Sequence, residues 1–475
     1  MQHRFIGLHP TEHHTEVFMS TPIFSVSARA AIARCTELCA AAVLSASLLL
    51  FATGCNLMGG ASKPATGSHS SNAGNFTNTV FIGDSLSAGF QNGSLLDSQQ
   101  PNGYASLIAK QAGFKLALPL IAAPGAPAVL QLVSVGPPAV VKQASGVTTG
   151  RDDVTVQATD LAVPGHLLTD LLNREPVAIP TTDEDIITDL VLGFPGLALG
   201  EQYTQLQWAE HLSPTTLFVW IGSNDALLAV HSGMPSSMTQ PAQFATEFNQ
   251  LMQALQTNTT ANLIVANVPD ITLVAALTPG SVLLAEYSQS SGIPVAQLST
   301  ELGIQATDLV NATGISEIEA ILAGKQAGPV DDGGFLSPAE VATVQQTIQQ
   351  YNTAIADQVK AVGATLVDMN TALTQIHNTP PTINGIQPSF AFLGGFFSLD
   401  GLHPTNTGYA LLANIFIDRM NAALNTKIAD VDVSAVATVD PLFPQNLPKS
   451  ARRTFIPATA AHSLDWMLTA HARNR

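Results

Sequence analysis

Short apolar, β-branched runs alternate with helix-like segments along most of the chain. Runs of this length are typical of buried strands when turn residues bound them. The predicted strands are residues 79–82, 154–163, 217–221, 263–268 and 365–367. The predicted helices are residues 104–112, 166–172, 242–255, 339–362 and 407–424. This alternation indicates an α/β fold, in which helices cover both faces of a parallel sheet.

Two stretches are longer than such a sheet requires. Residues 114–153 contain a predicted hairpin that turns at Gly136-Pro137-Pro138. Residues 270–336 include two pieces rich in Gly and Pro and a weak helix near 315–323. Long insertions of this kind serve as substrate walls or lids, or are inert, and the sequence leaves both alternatives open. The tail after about residue 440 is expected to be partly loose.

The N-terminal region has the layout of an export signal. Arg29 and Arg34 precede an apolar stretch at 38–52, and Gly54-Cys55 follows it. The stretch is short for a transmembrane helix, which needs about 20 apolar residues. Residues 55–76 are rich in Gly, Ser and Asn, which is typical of a flexible tether.

The string "FATGC" resembles the bacterial lipoprotein box, and this resemblance implies that Cys55 is the lipidated first residue of the mature chain. The departure from that pattern is Ala52, where leucine is usual. An ordinary secretory signal is the alternative. The predicted organisation is therefore a signal at 1–54, a tether at 55–76, a folded body at 77–428 and an extension at 429–475. The protein is expected to be exported and anchored at an outer membrane or cell surface, or else periplasmic or secreted.

Composition narrows the class of protein. Charged residues make up 11% and apolar residues 46% of the chain, which is a globular composition. The net charge is −17 without any basic run, so nucleic acid is not an expected partner. The three cysteines, Cys35, Cys39 and Cys55, all precede the body, which therefore offers no cysteine pair for a disulfide or a zinc site.

Three predicted strands end in residues suited to chemistry. The first ends in Gly83-Asp84-Ser85-Leu86, the second in Val163-Pro164-Gly165 and the third in Gly222-Ser223-Asn224-Asp225. Ligands bind at the carboxyl ends of strands in open parallel sheets, so these ends are expected to meet at one rim. Asp400 and His403 come three residues apart just before the last predicted helix.

This set supplies what acyl transfer needs. The Ser85 hydroxyl becomes a nucleophile when His403 takes its proton, and Asp400 can fix the imidazole tautomer. A developing oxyanion needs fixed donors, for which the candidates are the N–H groups of Ser85 and Gly165 and the amide of Asn224. Ser85 is expected at a strand-to-helix turn, where the helix dipole would assist. The structural alternatives are a helix cap for Ser85 and plain turns for the others.

The order Gly-Asp-Ser-Leu, Gly, Gly-x-Asn-Asp, Asp-x-x-His resembles that of the GDSL, or SGNH, hydrolase family. Ser85, Gly165, Asn224 and His403 match its four name-giving residues, and Asp400 maps to its triad acid. The strings "GDSLSAGFQNGSL" and "GGFFSLDGLHPTNTGYALLANIFI" look like its long bacterial lipase/esterase branch. The resemblance implies a three-layer, flavodoxin-like α/β/α fold with five parallel strands, and ester hydrolysis without metal or cofactor. His166 departs from the family's pattern, which has small residues after this glycine.

The leading hypothesis is a serine ester hydrolase of lipase/esterase type that acts on small-molecule or lipid esters and meets the membrane through a lipid anchor. A carbohydrate O-acetyl esterase using the same site is the alternative. A non-catalytic surface-binding lipoprotein on a hydrolase scaffold is an alternative of another class. The apolar residues of the insertions favour longer acyl chains over acetyl.

Overall fold

The computed structural model describes residues 74–136, 139–449 and 455–467. The predicted export signal, Cys55 and nearly all of the predicted tether lie outside these residues. Within them, no helix is both long enough and apolar enough to cross a membrane.

Strands and helices alternate through the described residues. The strands are β1 Thr79–Gly83, β2 Leu130–Ser134, β3 Val140–Gln143, β4 Thr216–Trp220, β5 Asn262–Ala266, β6 Thr278–Pro279, β7 Leu309–Val310, β8 Phe335–Leu336 and β9 Thr365–Val367. The first helices are α1 Tyr104–Ala112, α2 Leu168–Asn173, α3 Asp183–Leu192, α4 Gly196–Leu199, α5 Gln205–His211, α6 Ser223–Ser232 and α7 Pro241–Asn258. The later helices are α8 Gly280–Ser291, α9 Val295–Leu302, α10 Ala312–Leu322, α11 Pro338–Val362, α12 Met369–Asn378, α13 Asn406–Leu424, α14 Val433–Val439 and α15 Ala458–Ala461. Short 3₁₀ turns occupy Gln100–Asn102, Pro235–Ser237, Ile271–Leu273, Asp332–Gly334 and His462–Leu464.

The central sheet is parallel, with strand order β1-β4-β5-β9. Thr79 pairs with Thr216, and Thr216 in turn pairs with Asn262, so three strands start level with one another. Every residue of β1, β4 and β5 is buried. Burial on both faces explains why these strands read as unbroken apolar runs in the sequence.

The sheet has four strands where five were expected. Residues 158–163 run beside β1 and exchange backbone hydrogen bonds with Phe81 and Gly83, but they form only one bridge, between Phe81 and Asp160. The predicted strand at 154–163 fails at its start because the Asp153 carboxylate accepts both the N–H and the hydroxyl of Thr155, which closes a turn. The fifth position of the sheet is thus filled by extended chain without regular pairing.

Helices cover the two faces of the sheet. On one face, α1 packs against α13, and the rings of Tyr104 and Phe416 stack 4.7 Å apart beside Phe81 and Phe218. The helices α7 and α11 connect β4 to β5 and β5 to β9, and right-handed crossovers in one direction place both on the other face. They pack together through Phe244 and Tyr351, whose rings lie 4.1 Å apart. The predicted α/β fold is confirmed.

Both insertions have structure of their own. The predicted hairpin is present as β2 paired antiparallel with β3, and Pro137 and Pro138 lie outside the described residues. The insertion at 270–336 contains the small antiparallel sheet β6-β7-β8 and three helices, α8, α9 and α10. The sequence indicated only α10, because two-residue strands and Gly- and Ser-bearing helices give little periodic signal.

The described parts of the C-terminal extension pack on the body. The helix α14 contacts α13, and the Asp440 carboxylate accepts the N–H and the hydroxyl of Thr407 in the first turn of α13. Residues 455–467 return to the rim of the sheet, where Ile456 and Met467 are fully buried. Residues 450–454 and 468–475 lie outside the described part.

Candidate active site

The chain turns sharply after β1 to present Ser85. Gly83 allows this turn, because a β-carbon there would lie 2.2 Å from the carbonyl oxygen of Trp220 in β4. The Asp84 carboxylate accepts the Leu86 N–H and so orders the turn. No helix starts at Ser85: residues 85–89 form turns, and the expected help from a helix dipole is absent at this position. The Asp84 carbonyl accepts the N–H groups of Ser87 and Ala88, so hydrogen-bonded turns stand where the sequence predicted a helix.

The other two strand ends are joined by side chains of α6. Asn224 Nδ2 donates to the carbonyl oxygen of His166 over 2.9 Å, and Asp225 accepts the Leu168 N–H over 3.0 Å. These bonds bring the Gly-x-Asn-Asp segment against the chain that carries Gly165. Gly165 has a φ of +85°, a conformation that favours glycine.

His166, the departure from the family pattern, points into the body of the protein. Its Nδ1 lies 3.0 Å from Nε2 of Gln205 and its Nε2 lies 3.0 Å from the hydroxyl of Thr188. Gln205 also bonds the N–H and the carbonyl of Gly83. The imidazole therefore ties the Gly165 segment to the end of β1.

Asp400 and His403 form one compact loop. Asp400 Oδ1 accepts the N–H groups of Leu402 and His403, and Oδ2 lies 3.1 Å from Nδ1 of His403. On the other side of the imidazole, Nε2 lies 2.7 Å from Oγ of Ser85. The three side chains thus form one hydrogen-bonded series in the order Ser85, His403, Asp400, and all three are buried.

Electrostatics favour an ionised Asp400. Burial by itself would raise the pKa of Asp400, but the charge of His403 and hydrogen bonds from that residue and Leu402 outweigh it and hold the pKa below its usual value. Asp84 differs, because burial raises its pKa to about 7 despite the Leu86 hydrogen bond and the nearby His403. Asp400 therefore stays charged beside the imidazole, whereas Asp84 changes between its neutral and charged forms near pH 7.

Comparison with protein families matches residues 79–416 to the GDSL-like lipase/acylhydrolase model. The chain belongs to that family. It is accordingly a carboxylic ester hydrolase of α/β fold, as the sequence predicted. Comparison with curated proteins gives no significant match.

Solved structures similar to this GDSL hydrolase include a variant of an acetyl-xylooligosaccharide esterase from Geobacillus stearothermophilus, with 12% identity, a TM-score of 0.34 and coverage of 74% of this chain and 96% of that one. An α/β hydrolase from the metagenome of Lake Arreo has 14% identity, a TM-score of 0.34 and coverage of 76% and 100%. A GDSL-like lipase structure from Parabacteroides merdae has 11% identity, a TM-score of 0.32 and coverage of 74% and 97%. Similarity this low carries no information about the substrate of this chain.

An apolar pocket opens beside Ser85 in the hydrolase. It encloses about 600 Å³, its open mouth included, and Ser85 and His403 contribute to its wall. Most of the lining is apolar, from Leu86, Trp220, Leu227, Ile271, Leu273, Val274, Leu373, Phe390, Phe396, Phe397, Leu402 and Leu412. A larger groove of about 1420 Å³ shares Leu273, Val274 and Phe390 with this pocket. The insertion at 270–336 and the loop at 388–397 therefore form walls of the site.

The C-terminal segment 455–467 covers the other side of the site. A β-carbon on Gly165 would lie 3.4 Å from Cγ of Met467, so Met467 packs directly over this glycine. Asp465 holds the segment in place: its oxygens lie 3.4 Å from Nδ1 of His231 and 2.8 Å from Nδ1 of His462. His462 Nε2 in turn lies 2.8 Å from the hydroxyl of Ser316 in α10.

The structure brings Ser85, Asp400 and His403 together and joins Asn224 to the segment of Gly165, whereas Cys55 lies outside the described residues. Three other histidines of the body have different contacts: His211 stacks on Tyr203, His231 pairs with Asp465, and His377 packs against Phe390. Gln205 and Met467 could not be identified from the sequence as parts of the site, because neither lies in a motif. Among the described residues, no group of three or more His, Cys, Asp or Glu is arranged to hold a metal ion.

Proposed function

We propose that this hydrolase cleaves carboxylic esters through a Ser85–His403–Asp400 triad and an acyl-enzyme intermediate. The observation that carries the proposal is the hydrogen-bonded series in which His403 lies 2.7 Å from Ser85 and 3.1 Å from Asp400. Spacings of this kind suit a nucleophile, its general base and the group that orients the base.

In the first half-reaction, Oγ of Ser85 attacks the ester carbonyl carbon while Nε2 of His403 takes the hydroxyl proton. The tetrahedral intermediate then collapses, the bond to the alcohol oxygen breaks, and His403 donates its proton to that oxygen. In the second half, His403 takes a proton from water as the water oxygen attacks the acyl carbonyl carbon. The new tetrahedral intermediate collapses, the bond to Oγ of Ser85 breaks, and His403 returns the proton to Oγ, which releases the carboxylic acid and restores Ser85. Asp400 stays ionised throughout and stabilises the imidazolium, in agreement with its lowered pKa.

Three groups are proposed to hold the oxyanion: the N–H groups of Ser85 and Gly165 and Nδ2 of Asn224. The Asn224 amide carries two protons, of which one binds the His166 carbonyl, so the second is available to an oxyanion. The bond to His166 also fixes the direction of the amide before substrate arrives, which is the condition for strong electrostatic stabilisation.

The pocket beside Ser85 supports acyl chains longer than acetyl. The lining is mostly apolar, so each methylene of an acyl chain that is buried against it should strengthen binding by about 0.8 kcal/mol. An acetyl group would leave most of this surface without a partner. We therefore favour lipid-like esters over acetylated glycans, and a strict preference for acetyl would instead support the carbohydrate O-acetyl esterase.

Labelling with a fluorophosphonate probe tests the proposed nucleophile. The wild-type protein should incorporate one probe per chain, and Ser85→Ala should incorporate none. Labelling that persists in Ser85→Ala, at a serine identified by peptide mass spectrometry, would overturn the proposed triad. A folded wild-type protein that neither labels nor hydrolyses any ester would support the non-catalytic surface-binding lipoprotein.

We also propose that the protein is exported and anchored through a lipid on Cys55. The support is the sequence layout alone, namely a basic start, a short apolar stretch and "FATGC" before a tether rich in Gly, Ser and Asn. Expression in a bacterial host with labelled palmitate should label the wild-type chain and leave Cys55→Ala unlabelled. Equal labelling of both chains would contradict lipidation at Cys55.

A further inference from the structure

The segment "FQNGS" at 90–94 makes a tight turn next to the proposed triad. Gln91 and Ser94 exchange both backbone hydrogen bonds, at 3.1 and 3.0 Å, around the central residues Asn92 and Gly93. Asn92 has a φ of 51° and Gly93 a φ of 70°, as a two-residue type I′ hairpin turn requires. Asn-Gly is the pair that best tolerates these angles, so the local sequence specifies the turn.

The outer side of this turn bonds three consecutive residues of the loop that carries the proposed triad acid. The Asn92 N–H donates to Oγ of Ser398 over 3.0 Å, and Oδ1 of Asn92 accepts the Leu399 N–H over 3.0 Å. The Gly93 N–H donates to Oδ2 of Asp400 over 2.7 Å. The oxygen of Asp400 that faces the imidazole therefore has two donors, and one of them comes from the turn.

The same segment also contacts the imidazole. The Phe90 ring lies 4.7 Å from the His403 ring, and the Phe90 carbonyl accepts the hydroxyl of Tyr409 in α13. On the side away from the Asp400 loop, the Asn92 carbonyl accepts the Leu130 N–H at the start of β2, which fixes Asn92 in place. The turn is thus fixed on one side and bonded to the Asp400 loop on the other.

We propose that Asn92 is a positioning residue: through the Leu399 N–H and the adjoining Gly93 N–H it sets the place of Asp400, and so the aim of His403 at Ser85. The inference rests on the proposed triad. Asp400 is fully buried, so it has no water shell to orient it, and its position depends on fixed protein donors. A small displacement of a reacting group lowers the rate of an enzyme strongly, since a shift of about 1 Å costs about 100-fold.

The chain contains a second turn of the same kind, which provides a matched control. Asn384 and Gly385 have φ values of 51° and 79°, and Ile383 and Ile386 exchange both backbone hydrogen bonds around them. Nδ2 of Asn384 bonds the Ser434 carbonyl and the Thr438 hydroxyl in α14, and none of these three residues lines the pocket beside Ser85. The same substitution in the two turns therefore separates the effect on the turn from the effect on Asp400.

The test compares Asn92→Gly with Asn384→Gly. Glycine keeps the positive φ and removes only the side chain, so both turns should persist. Asn92→Gly is expected to lower kcat on p-nitrophenyl butyrate by about 10- to 100-fold with little change in KM, because Asp400 and His403 are less well aimed. Asn384→Gly should stay within about twofold of the wild type, as expected for a surface substitution away from the reaction.

A second variant gives a readout that a merely structural role would not move. Asn92→Asp keeps the acceptor for Leu399 and adds a negative charge beside Asp400. Asp84 and Asp400 already face His403, and a further negative charge favours its protonated form. The acid limb of the kcat/KM profile should therefore move to higher pH, and Asn384→Asp should leave it in place.

Each outcome is decisive. If Asn92→Gly folds and is as active as the wild type, the positioning role is wrong, whatever the pH profile of Asn92→Asp. If Asn92→Gly does not fold, the pH profile of Asn92→Asp alone decides. Ser85→Ala, measured in parallel, distinguishes the two levels: if it retains hydrolysis, the proposed triad fails, whereas normal loss of activity in Ser85→Ala with an unaffected Asn92→Gly refutes only the role of Asn92.

Discussion

The hydroxyl oxygen of Ser85 lies 2.7 Å from Nε2 of His403, although 318 positions of the chain separate the two residues. The contact exists because β1 delivers Ser85 to the rim of the sheet and the loop before α13 delivers His403 to the same rim. Asp400 then reaches the imidazole from within that loop. Hydrolysis by the proposed triad depends on this contact, because it lets His403 take the proton of Ser85.

Removal of each member of the proposed triad should give graded losses. Ser85→Ala and His403→Ala should each lower kcat by about 10⁶-fold and Asp400→Ala by about 10⁴-fold, because the acid acts through the base. Initial rates on p-nitrophenyl butyrate measure the order. His211→Ala is the control and should retain wild-type activity, since His211 is exposed at the end of α5, where it stacks on Tyr203, and does not line the pocket beside Ser85. A loss for Asp400→Ala that exceeds that for Ser85→Ala would contradict these roles.

Asn224→Ala should lower kcat and spare KM. A single oxyanion donor contributes about 10²- to 10³-fold to kcat, because the charge it stabilises develops only in the transition state. The variant also loses the bond to the His166 carbonyl, so thermal unfolding must be measured alongside. A variant whose KM rises while kcat is unchanged would show that Asn224 binds the ground state instead.

Filling the apolar pocket should shorten the preferred acyl chain. Leu273 lines both the pocket beside Ser85 and the neighbouring groove. Leu273→Trp should lower the ratio of kcat/KM for p-nitrophenyl octanoate over acetate by about tenfold or more, since each methylene excluded from an apolar pocket costs about 1–3 kcal/mol. Val133→Trp, at an exposed position of β2, is the control. An unchanged ratio would place the acyl chain elsewhere.

Trimming Met467 should admit bulkier esters. Met467 is fully buried and packs over Gly165, one of the proposed oxyanion donors. Met467→Ala should raise kcat/KM for esters branched next to the carbonyl, relative to acetate, by about tenfold, the scale of one or two methylenes in a pocket. Met234→Ala removes a half-exposed methionine and should leave the ratio unchanged. An equal fall for all esters would mean that Met467 supports the site and does not restrict it.

Buried carboxyl groups should make the protein more stable in mild acid. Burial raises the pKa of Asp160 to about 8, and burial likewise raises that of Asp189 to about 8. Such a group favours the folded state fully below its unfolded pKa of about 4, and this contribution is lost as the pH rises to about 8. Stability should therefore fall with rising pH in this window, by about 1.4 kcal/mol per pH unit for each such group.

Urea unfolding at about pH 5 and about pH 8 measures this fall, and Asp160→Asn should reduce it, because the amide keeps the acceptor for the Ala162 N–H and cannot ionise. Asp153→Asn is the control: hydrogen bonds from Thr155 lower the pKa of this exposed carboxyl, which stays ionised throughout the window. If the free energy of unfolding depends on pH equally in the wild type and in Asp160→Asn, Asp160 does not cause this fall in stability.

The main strands and the residues able to do chemistry could be predicted from the sequence alone. Apolar runs in the sequence predicted the four strands of the central sheet, β1, β4, β5 and β9. They did so because strands that are buried on both faces consist mostly of apolar residues. Long helices such as α11 and α13 were also predicted from the sequence, with bounds within one residue of those observed. Ser85 stood out because Gly-Asp-Ser-Leu follows the first strand, and Asp400 and His403 stood out because they come three residues apart just before the last long helix.

The irregular sheet edge and the supports of the site depend on contacts that only the folded chain makes. The edge beside β1 stayed irregular because Asp153 closes a local turn, which outweighed the β-branched pattern of 154–163. The hydrogen bond from Gly93 to Asp400 joins residues that are 307 positions apart in the chain. The packing of Met467 on Gly165 joins residues that are about equally far apart. Local sequence carries no record of such partners, because backbone N–H groups and methionine side chains have the same chemistry wherever they lie. Their roles arise only when the fold brings them to the rim of the sheet.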